Sequence, residues 1–193
     1  MVNQSGSDAK RLIIGITGAS GIIYGVKLLQ MLQQTNIETH LVMSKSAELT
    51  LGYEMRLKLK EVHQLADVVH ATKNIGATIS SGSFSTIGMV VAPCSIRSMS
   101  EIASGITSTL LTRAADVVLK ERRRLVLMVR ETPLHTGHLR TMTALSEMGA
   151  IIAPPVPAFY NGPETIDDLV SHSVGRVLDL FDIDTGVVRR WEG

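Results

Sequence analysis

The sequence contains very little cysteine and few aromatic residues. Among its 193 residues Cys94 is the only cysteine, and aromatic side chains make up 4%. A single cysteine excludes an intrachain disulfide, and a cysteine-poor chain of this kind is typical of a reducing compartment, so we expect a cytoplasmic protein. The shortage of aromatics, together with nine methionines, predicts a core of aliphatic and methionine side chains.

The sequence also lacks an excess of one charge and a long apolar run. Its 19 basic and 18 acidic residues give a formal net charge of +1, so no overall field favours nucleic acid or an anionic membrane. The apolar runs are short and interrupted by glycine, proline or charge, which argues against a membrane-spanning helix. Residues 1–10 are polar and show no apolar segment of a secretory signal. We expect them to form a flexible leader before a single domain at 11–193.

Predicted strands and helices alternate along the chain. Buried strands are predicted at 12–17, 39–43, 86–92, 125–129 and 150–153, the third of them stopped by Pro93. Helices are predicted from near Lys45, with Ser44 as N-cap, and at 22–34, 61–66, 98–105, 107–120, 139–148 and 165–181. This alternation predicts a three-layer, Rossmann-like α/β fold with a parallel sheet.

Polar or small residues follow most of the predicted strands. Because the carboxyl ends of parallel strands meet at one edge of a sheet, we expect these residues to line a ligand site there. They are Thr17-Gly18, Ser44, Cys94-Ser95 and Arg130-Glu131, and the last strand leads through prolines to Phe159-Tyr160.

The turn after the first strand contains Gly18-Ala-Ser-Gly21. Small residues at a helix N-terminus let backbone N–H groups approach a phosphate, although glycine is about as common in such turns for their geometry alone. The P-loop pattern is absent, and Ile16 stands where a dinucleotide fingerprint needs glycine. A mononucleotide therefore fits this turn better than NAD.

The segment Arg113–Pro133 runs from a predicted helix through a buried strand into Arg130-Glu131. Arg113, Asp116 and Lys120 share one face of the helix by their spacing. A solvated ladder of salt bridges is the commoner outcome of such spacing. The alternative is a phosphate clamp, which we favour because the helix leads directly into the strand that ends in Arg130.

Three further residues are candidates for a site, each with a simpler alternative. Glu54 could act as a general acid or base, although an exposed glutamate is the default. Tyr160 lies in a proline-rich loop that would position its hydroxyl, although tyrosines in loops often only pack. Arg176 could be a second phosphate ligand or a surface arginine.

Two motifs are weaker. Cys94 has no histidine near it in sequence, and a lone cysteine after a buried strand is usually inert. His135 and His138 suggest no third ligand nearby, so zinc is disfavoured.

Several motifs together resemble those of the UbiX flavin prenyltransferases, over about residues 11–191. They are Gly15–Gly21, Ala92–Ser98, the Arg113–Pro133 segment and Pro154–Tyr160, with Ser98 where the family usually has threonine. The resemblance implies a flavodoxin-like variant of the Rossmann fold and a homododecamer with active sites at subunit junctions. It also implies a metal-independent reaction that joins the dimethylallyl group of dimethylallyl phosphate to N5 and C6 of reduced FMN. The product, prenylated FMN, would serve a UbiD-type decarboxylase, with ubiquinone synthesis as the expected pathway.

The resemblance also implies roles for individual residues. FMN would be held by Gly18, Ala19, Ser20, Ser44, Ser95, Ile96, Arg97, Ser98 and Arg130. Dimethylallyl phosphate would be held by Arg113, Lys120, Tyr160 and Arg176. The catalytic residues would be Ser20, Glu54, Lys120, Glu131 and Tyr160. In this set Ser20 and Glu54 would assist proton movement, and Glu131 would support the cations that bind the phosphate.

Two other functions stay open. One is a flavin-dependent decarboxylase related to the cysteine-decarboxylating flavoproteins, although their Pro-x-Met-Asn motif is replaced here by Ala92-Pro-Cys-Ser95. The other is a carrier that delivers FMN to a partner unchanged. The sequence does not distinguish a monophosphate donor from a pyrophosphate donor.

Overall fold

The computed structural model describes residues 10–188, and all structural statements below refer to that part of the chain. Its sheet consists of β1 (Arg11–Ile16), β2 (Glu38–Met43), β3 (Val68–His70), β4 (Gly88–Cys94), β5 (Arg124–Val129) and β6 (Ile151–Ile152). The strand order is β3-β2-β1-β4-β5-β6, and each neighbouring pair is parallel. Without the short edge strand β3 this is the flavodoxin order. The predicted α/β fold with a parallel sheet is confirmed.

Helices cover both faces of the sheet. They are α1 (Ile22–Leu32), α2 (Lys45–Glu54), α3 (Leu59–His63), α4 (Ile96–Ala103), α5 (Leu110–Lys120), α6 (Thr136–Glu147) and α7 (Ile166–Asp179). Side chains alternate along β1, so Leu12 and Ile14 pack in the cluster with α1 and α7, whereas Ile13 packs in the cluster with α4 and α5. Burial of each such aliphatic side chain stabilises the fold by about 1.5–3 kcal/mol.

The prediction that Pro93 stops its strand is wrong. Strand β4 continues through Pro93 to Cys94, and its register against β5 shifts between Val91 and Cys94. A proline cannot donate a ladder hydrogen bond, but it is tolerated where such an irregularity removes the need for one. The carbonyl of Pro93 accepts hydrogen bonds from both the backbone N–H and the hydroxyl of Thr17, which joins the ends of β4 and β1.

Several element ends differ from the prediction. Helices α4 and α6 start earlier than expected because Ser95 and His135 are their N-caps. Strand β3 was not predicted, since three residues are too few to show a periodic pattern. The predicted leader, apart from Lys10, lies outside the described residues. No helix in the described part is long and apolar enough to cross a membrane.

Candidate active site

Three helix N-termini meet at a cleft at the carboxyl edge of the sheet. Ser44, Ser95 and Thr109 are the N-caps of α2, α4 and α5, and each side chain accepts a hydrogen bond from a backbone N–H in the first turn of its helix. All three line a cleft of about 420 Å³. Helix N-termini carry partial positive charge, so the convergence of three of them favours an anionic ligand.

The side chains around this cleft reinforce its positive character. Lys45, Lys73 and Arg97 line it, together with the carboxylate of Glu101. Glu101 accepts hydrogen bonds from Arg97 Nε at 2.8 Å and from the hydroxyl of Ser108 at 2.9 Å. Because three cations face one carboxylate that is already paired, the cleft fits a phosphate-bearing ligand.

The turn Gly18–Gly21 borders the cleft. Its first residue, Gly18, is packed too tightly against Ser46 to carry a side chain. A Cβ added to Gly18 would lie 2.3 Å from the Cβ of Ser46 at the start of α2. Thr17, which is buried, accepts a hydrogen bond from Ser95 N at 2.7 Å. These contacts place the turn after β1 directly beside the starts of α2 and α4, where the strand order reverses.

The N-terminus of α1 binds a carboxylate of this chain. The two carboxylate oxygens of Glu54 accept hydrogen bonds from Gly21 N at 2.8 and 3.1 Å, and one accepts from Ile22 N at 3.0 Å. These N–H groups belong to the end of the turn that the sequence offered as a phosphate cradle, and in the structure they bind Glu54. The helix N-termini that line the cleft are instead those of α2, α4 and α5.

Glu54 is held in its ionised form by its neighbours. Partial burial works to raise its pKa, but hydrogen bonds from the Ser20 hydroxyl and from the N–H groups of Ile22 and Gly21 outweigh it, with help from the charge of Arg130. The net effect is a pKa below the usual value for glutamate. At neutral pH this group is therefore a carboxylate, which can accept a proton but is a weaker base than an ordinary glutamate.

The same cluster contains a tyrosine that the sequence did not indicate. Burial raises the pKa of Tyr24, and the charge of Arg130 opposes that rise. Its ring lies beside Gly21, since a Cβ at that glycine would be 3.0 Å from Tyr24 Cδ2. Arg130 itself is exposed, and its backbone N–H binds Cys94 O at 3.1 Å. Ser20, Glu54 and Arg130 thus lie close together.

The predicted phosphate clamp on α5 is not at this edge. The helix begins at the cleft, and Lys120 lies eight residues beyond Thr112, about 12 Å further along the axis. Lys120 contacts Glu121 and lies against Gly82, in the loop that precedes β4. A helix that leads into a parallel strand arrives at its amino end, so the expectation that this helix brings Lys120 to the carboxyl edge is wrong.

The contacts of Arg113 match the ladder interpretation within one chain. Arg113 pairs with Asp116 at 2.6 Å, and its Nε donates to Ser80 O at 3.3 Å. Glu131 is exposed, and its carboxylate accepts a hydrogen bond from its neighbour Thr132 N at 2.9 Å. Within a single chain, then, these contacts do not place Arg113 and Glu131 around one phosphate.

The remaining two predicted phosphate ligands lie near each other on the side of α7. The Tyr160 hydroxyl is 3.2 Å from His172 Nε2, and Arg176 follows His172 by one helical turn. Arg176 pairs with Asp179 at 2.7 Å. His172 and Arg176 line a cavity of about 250 Å³ next to the segment after β6.

Cys94 and the histidines of α6 have structural surroundings. Cys94 is fully buried, and burial raises the pKa of its thiol to about 12, so the thiolate needed for catalysis does not form. His135 caps α6 and stacks on His138 with ring centroids 3.6 Å apart. Within residues 10–188 no group of three or more His, Cys, Asp or Glu side chains could hold a metal ion.

Several residues of the cleft were missed from the sequence. Lys45, Lys73 and Thr109 are polar or charged residues in loops or at helix starts, where such side chains are common without a function. One signal was available, because Thr109 and Thr112 form a capping box that marks the start of α5. Thr72 and Lys73 follow β3, which was itself not predicted.

Comparison with known proteins identifies the family. The family model for flavoproteins matches residues 2–178. The flavin prenyltransferase UbiX of Escherichia coli strain K12 is 60% identical over 187 residues, which cover 95% of this chain and 99% of that protein. UbiX of Neisseria meningitidis serogroup B is 57% identical over 184 residues, which cover 95% of this chain and 97% of that protein.

The chain belongs to the UbiX flavin prenyltransferase family.

Solved UbiX structures share the whole fold. The crystal structure of AnUbiX (PadA1) in complex with FMN and dimethylallyl pyrophosphate matches with a TM-score of 0.94 and 52% identity, covering 95% of this chain and 98% of that chain. A dodecameric FMN-dependent UbiX-like decarboxylase from Escherichia coli O157:H7 matches with a TM-score of 0.93 and 53% identity, covering 95% of this chain and 100% of that chain. The FMN-dependent cysteine decarboxylase TvaF is 15% identical, a likeness of fold alone. The resemblance inferred from the motifs is confirmed.

Proposed function

We propose that this chain is a flavin prenyltransferase that joins the dimethylallyl group of dimethylallyl phosphate to N5 and C6 of reduced FMN. The observation that carries the proposal is the cationic cleft between three capped helix N-termini, in a chain 60% identical to a UbiX enzyme over 95% of its length. The product is prenylated FMN. We further propose that it is delivered to a UbiD-type decarboxylase in the cytoplasm, for ubiquinone synthesis.

FMN fits the cleft by the chemistry of the residues around it. The N–H groups at the starts of α2 and α4, with the hydroxyls of Ser44, Ser95 and Ser98, offer donors to a phosphate or to ribityl oxygens. Gly18 lets the turn after β1 pack directly against the start of α2, beside the cleft. We assign FMN binding to these residues and to Ala19, Ser20, Ile96, Arg97 and Arg130.

When bound, reduced FMN supplies the nucleophilic N5 and C6 positions. The chain supplies the acceptor for protons that leave the flavin, since Glu54 is ionised and bonded to the Ser20 hydroxyl. This pair can take up a proton and pass it on without a metal ion. Glu54 also fixes the start of α1, which keeps the pair rigid relative to the cleft.

Departure of the allylic phosphate requires neutralisation of its growing charge. Arg, Lys and Tyr donors can do this when they are positioned before the reaction. Tyr160 contacts His172 on α7, one helical turn before Arg176, whereas Lys120 lies at the opposite edge from the cleft of its own chain. We therefore propose that Arg113, Lys120 and Glu131 complete the site across a subunit junction of a homododecamer.

Exposed apolar side chains support a subunit interface. Val156, Phe159 and Ile166 are 73%, 69% and 75% exposed, close to Tyr160 in sequence. Large apolar side chains with this degree of exposure are consistent with a surface that another protein covers.

The function is tested by incubating the protein with reduced FMN and dimethylallyl phosphate without oxygen and recording the mass of the flavin. We expect a gain of one five-carbon unit. A parallel sample with dimethylallyl pyrophosphate identifies the donor. Recovery of unchanged FMN from both samples would contradict the proposal and leave the carrier function. Release of carbon dioxide from an aromatic acid by the protein alone would support the decarboxylase alternative.

A further inference from the structure

His172 is a buried histidine that contacts one of the proposed phosphate ligands. It lies on α7, is 6% exposed, and its Nε2 is 3.2 Å from the Tyr160 hydroxyl. The two rings meet edge to face with centroids 5.7 Å apart. Tyr160 is 58% exposed and lies in the irregular segment between β6 and α7. His172, a buried residue of α7, therefore forms a hydrogen bond with the hydroxyl of Tyr160 in the loop.

The position of His172 on its helix links it to Arg176 as well. The two residues are four apart on α7, so their side chains lie on the same face. Both line the cavity of about 250 Å³ beside the segment after β6. His172 therefore contacts Tyr160 and shares a helix face and a cavity with Arg176.

The Nε2–hydroxyl hydrogen bond carries one proton, and its direction decides whether the tyrosine oxygen donates or accepts in this contact. If Nε2 accepts, the tyrosine O–H proton is directed at the histidine. If Nε2–H donates, the tyrosine oxygen accepts, and its O–H proton can be donated to an anionic oxygen. Only the second arrangement suits a phosphate ligand, because a phosphate oxygen needs a donor.

We propose that His172 is a positioning residue, which donates its Nε2–H to Tyr160 and directs the tyrosine O–H toward the phosphate of the allylic donor. This inference rests on the proposed prenyltransferase function. Holding an exposed tyrosine in one rotamer lowers the entropy lost when the phosphate binds. It also orients the donor before charge develops on the departing phosphate.

The direction of the hydrogen bond can be measured without catalysis. In the NMR spectrum of the protein labelled with ¹⁵N-histidine, we expect His172 as the tautomer protonated at Nε2 at neutral pH. We expect that signal to shift in Tyr160→Phe. An unprotonated Nε2 in the wild-type protein would overturn the inference whether or not the enzyme is active.

Two amide variants provide the kinetic test. The side-chain nitrogen of glutamine can replace Nε2 of histidine, whereas that of asparagine replaces Nδ1. We expect His172→Asn to lower kcat/KM for dimethylallyl phosphate about tenfold, mainly through kcat, because the donated bond strengthens as the phosphate departs. His172→Gln should restore the value to within about threefold. FMN affinity should be unchanged in both.

A double variant separates positioning from a general structural role. If His172 acts through Tyr160, His172→Asn should have no further effect in the Tyr160→Phe background. Independent losses in the double variant would overturn the inference. If the wild-type protein forms no prenylated flavin, the proposed function fails first, and the NMR result decides the hydrogen bond separately.

Discussion

Glu54 shows how one residue can serve the fold and the chemistry at once. Its carboxylate binds the N–H groups of Gly21 and Ile22, and the same contacts lower its pKa. From the sequence Glu54 was a candidate acid or base with an exposed glutamate as the default. Its capping role was not predictable, because the partners are 32 and 33 residues away and no local pattern joins them.

Replacement of Glu54 separates these two contributions. We expect Glu54→Gln to lose most prenylated FMN formation and to lower the free energy of unfolding at pH 7 by about 0.5–1 kcal/mol, because a charge at the start of α1 is removed. Since the pKa of Glu54 is lowered in the folded state, its stabilisation is present above the ordinary value of 4.5 and is lost as pH falls through the folded value. Urea unfolding should therefore show a smaller difference between the variant and the wild type at pH 3 than at pH 7. Glu147→Gln, at the C-terminal end of α6, should show no such loss.

Removal of a proposed phosphate ligand should lower product formation but leave FMN binding unchanged. We expect Lys120→Ala and Arg176→Ala each to lower product formation at least about a hundredfold, because a charge-assisted contact to the departing phosphate is lost. Both variants should bind FMN as the wild type does, as judged by flavin fluorescence. Lys60→Ala, an exposed lysine on α3, is the matched control. Full activity in either phosphate-ligand variant would remove that residue from the site.

Most of the strands and helices of the fold were predictable from the sequence, and so was the direction in which each helix runs across the sheet. Alternating strands and helices indicated the parallel sheet, and Ser44 was identified as the N-cap of α2. A helix that precedes a parallel strand must run from the carboxyl edge to the amino edge. The predicted fold therefore already implied that Lys120 lies at the amino edge of the sheet. Strand β3 has only three residues, which are too few to show a periodic pattern. The capping role of His135 depends on hydrogen bonds to the next two or three residues, and these also leave no periodic pattern.

The edge strand β3 is held to β2 by a chain of hydrogen bonds. Arg11 bonds Glu38 at 3.2 Å, Glu38 bonds His40 Nε2 at 2.7 Å, and His40 Nδ1 is 2.9 Å from His70 Nε2. The ring of Phe84 packs edge-on against His40. The contact between the two histidines contains one proton, so a second positive charge on the pair would break it.

This chain of bonds predicts acid sensitivity at the edge of the sheet. Burial, and then the neighbouring His40, lowers the pKa of His70 below its ordinary value of 6.5. The unfolded chain then binds a proton more readily, so stability should fall as pH drops below about 6.5, by at most about 1.4 kcal/mol per pH unit. Glu38, whose pKa is also lowered, should add to the loss below its ordinary value of 4.5. Thermal melts from pH 7.5 to 5.5 should show the decline in the wild type and a smaller one in His70→Gln. His63→Gln, on α3, is the control.

At the scale of the whole molecule, two of the proposed catalytic residues lie at opposite edges of the sheet in one chain. A site that contains both would therefore need more than one subunit. Glu54 belongs to the carboxyl edge, whereas Lys120 lies at the amino edge of the same chain. Neither the sheet nor the helices can bring these two side chains together without unfolding. If both act on the same pair of substrates, they must come from different copies of the chain.

That requirement can be tested by mixing two inactive variants. We expect Lys120→Ala and Glu54→Gln proteins, unfolded and refolded together or coexpressed, to regain activity. In a random one-to-one mixture about one quarter of the junctions would pair an intact Lys120 with an intact Glu54 from another chain. The matched control mixes Lys120→Ala with the double variant carrying both substitutions, which can form no intact junction. If the mixture is no more active than its separate components, Lys120 and Glu54 do not share a site between subunits, and the proposed role of Lys120 is wrong.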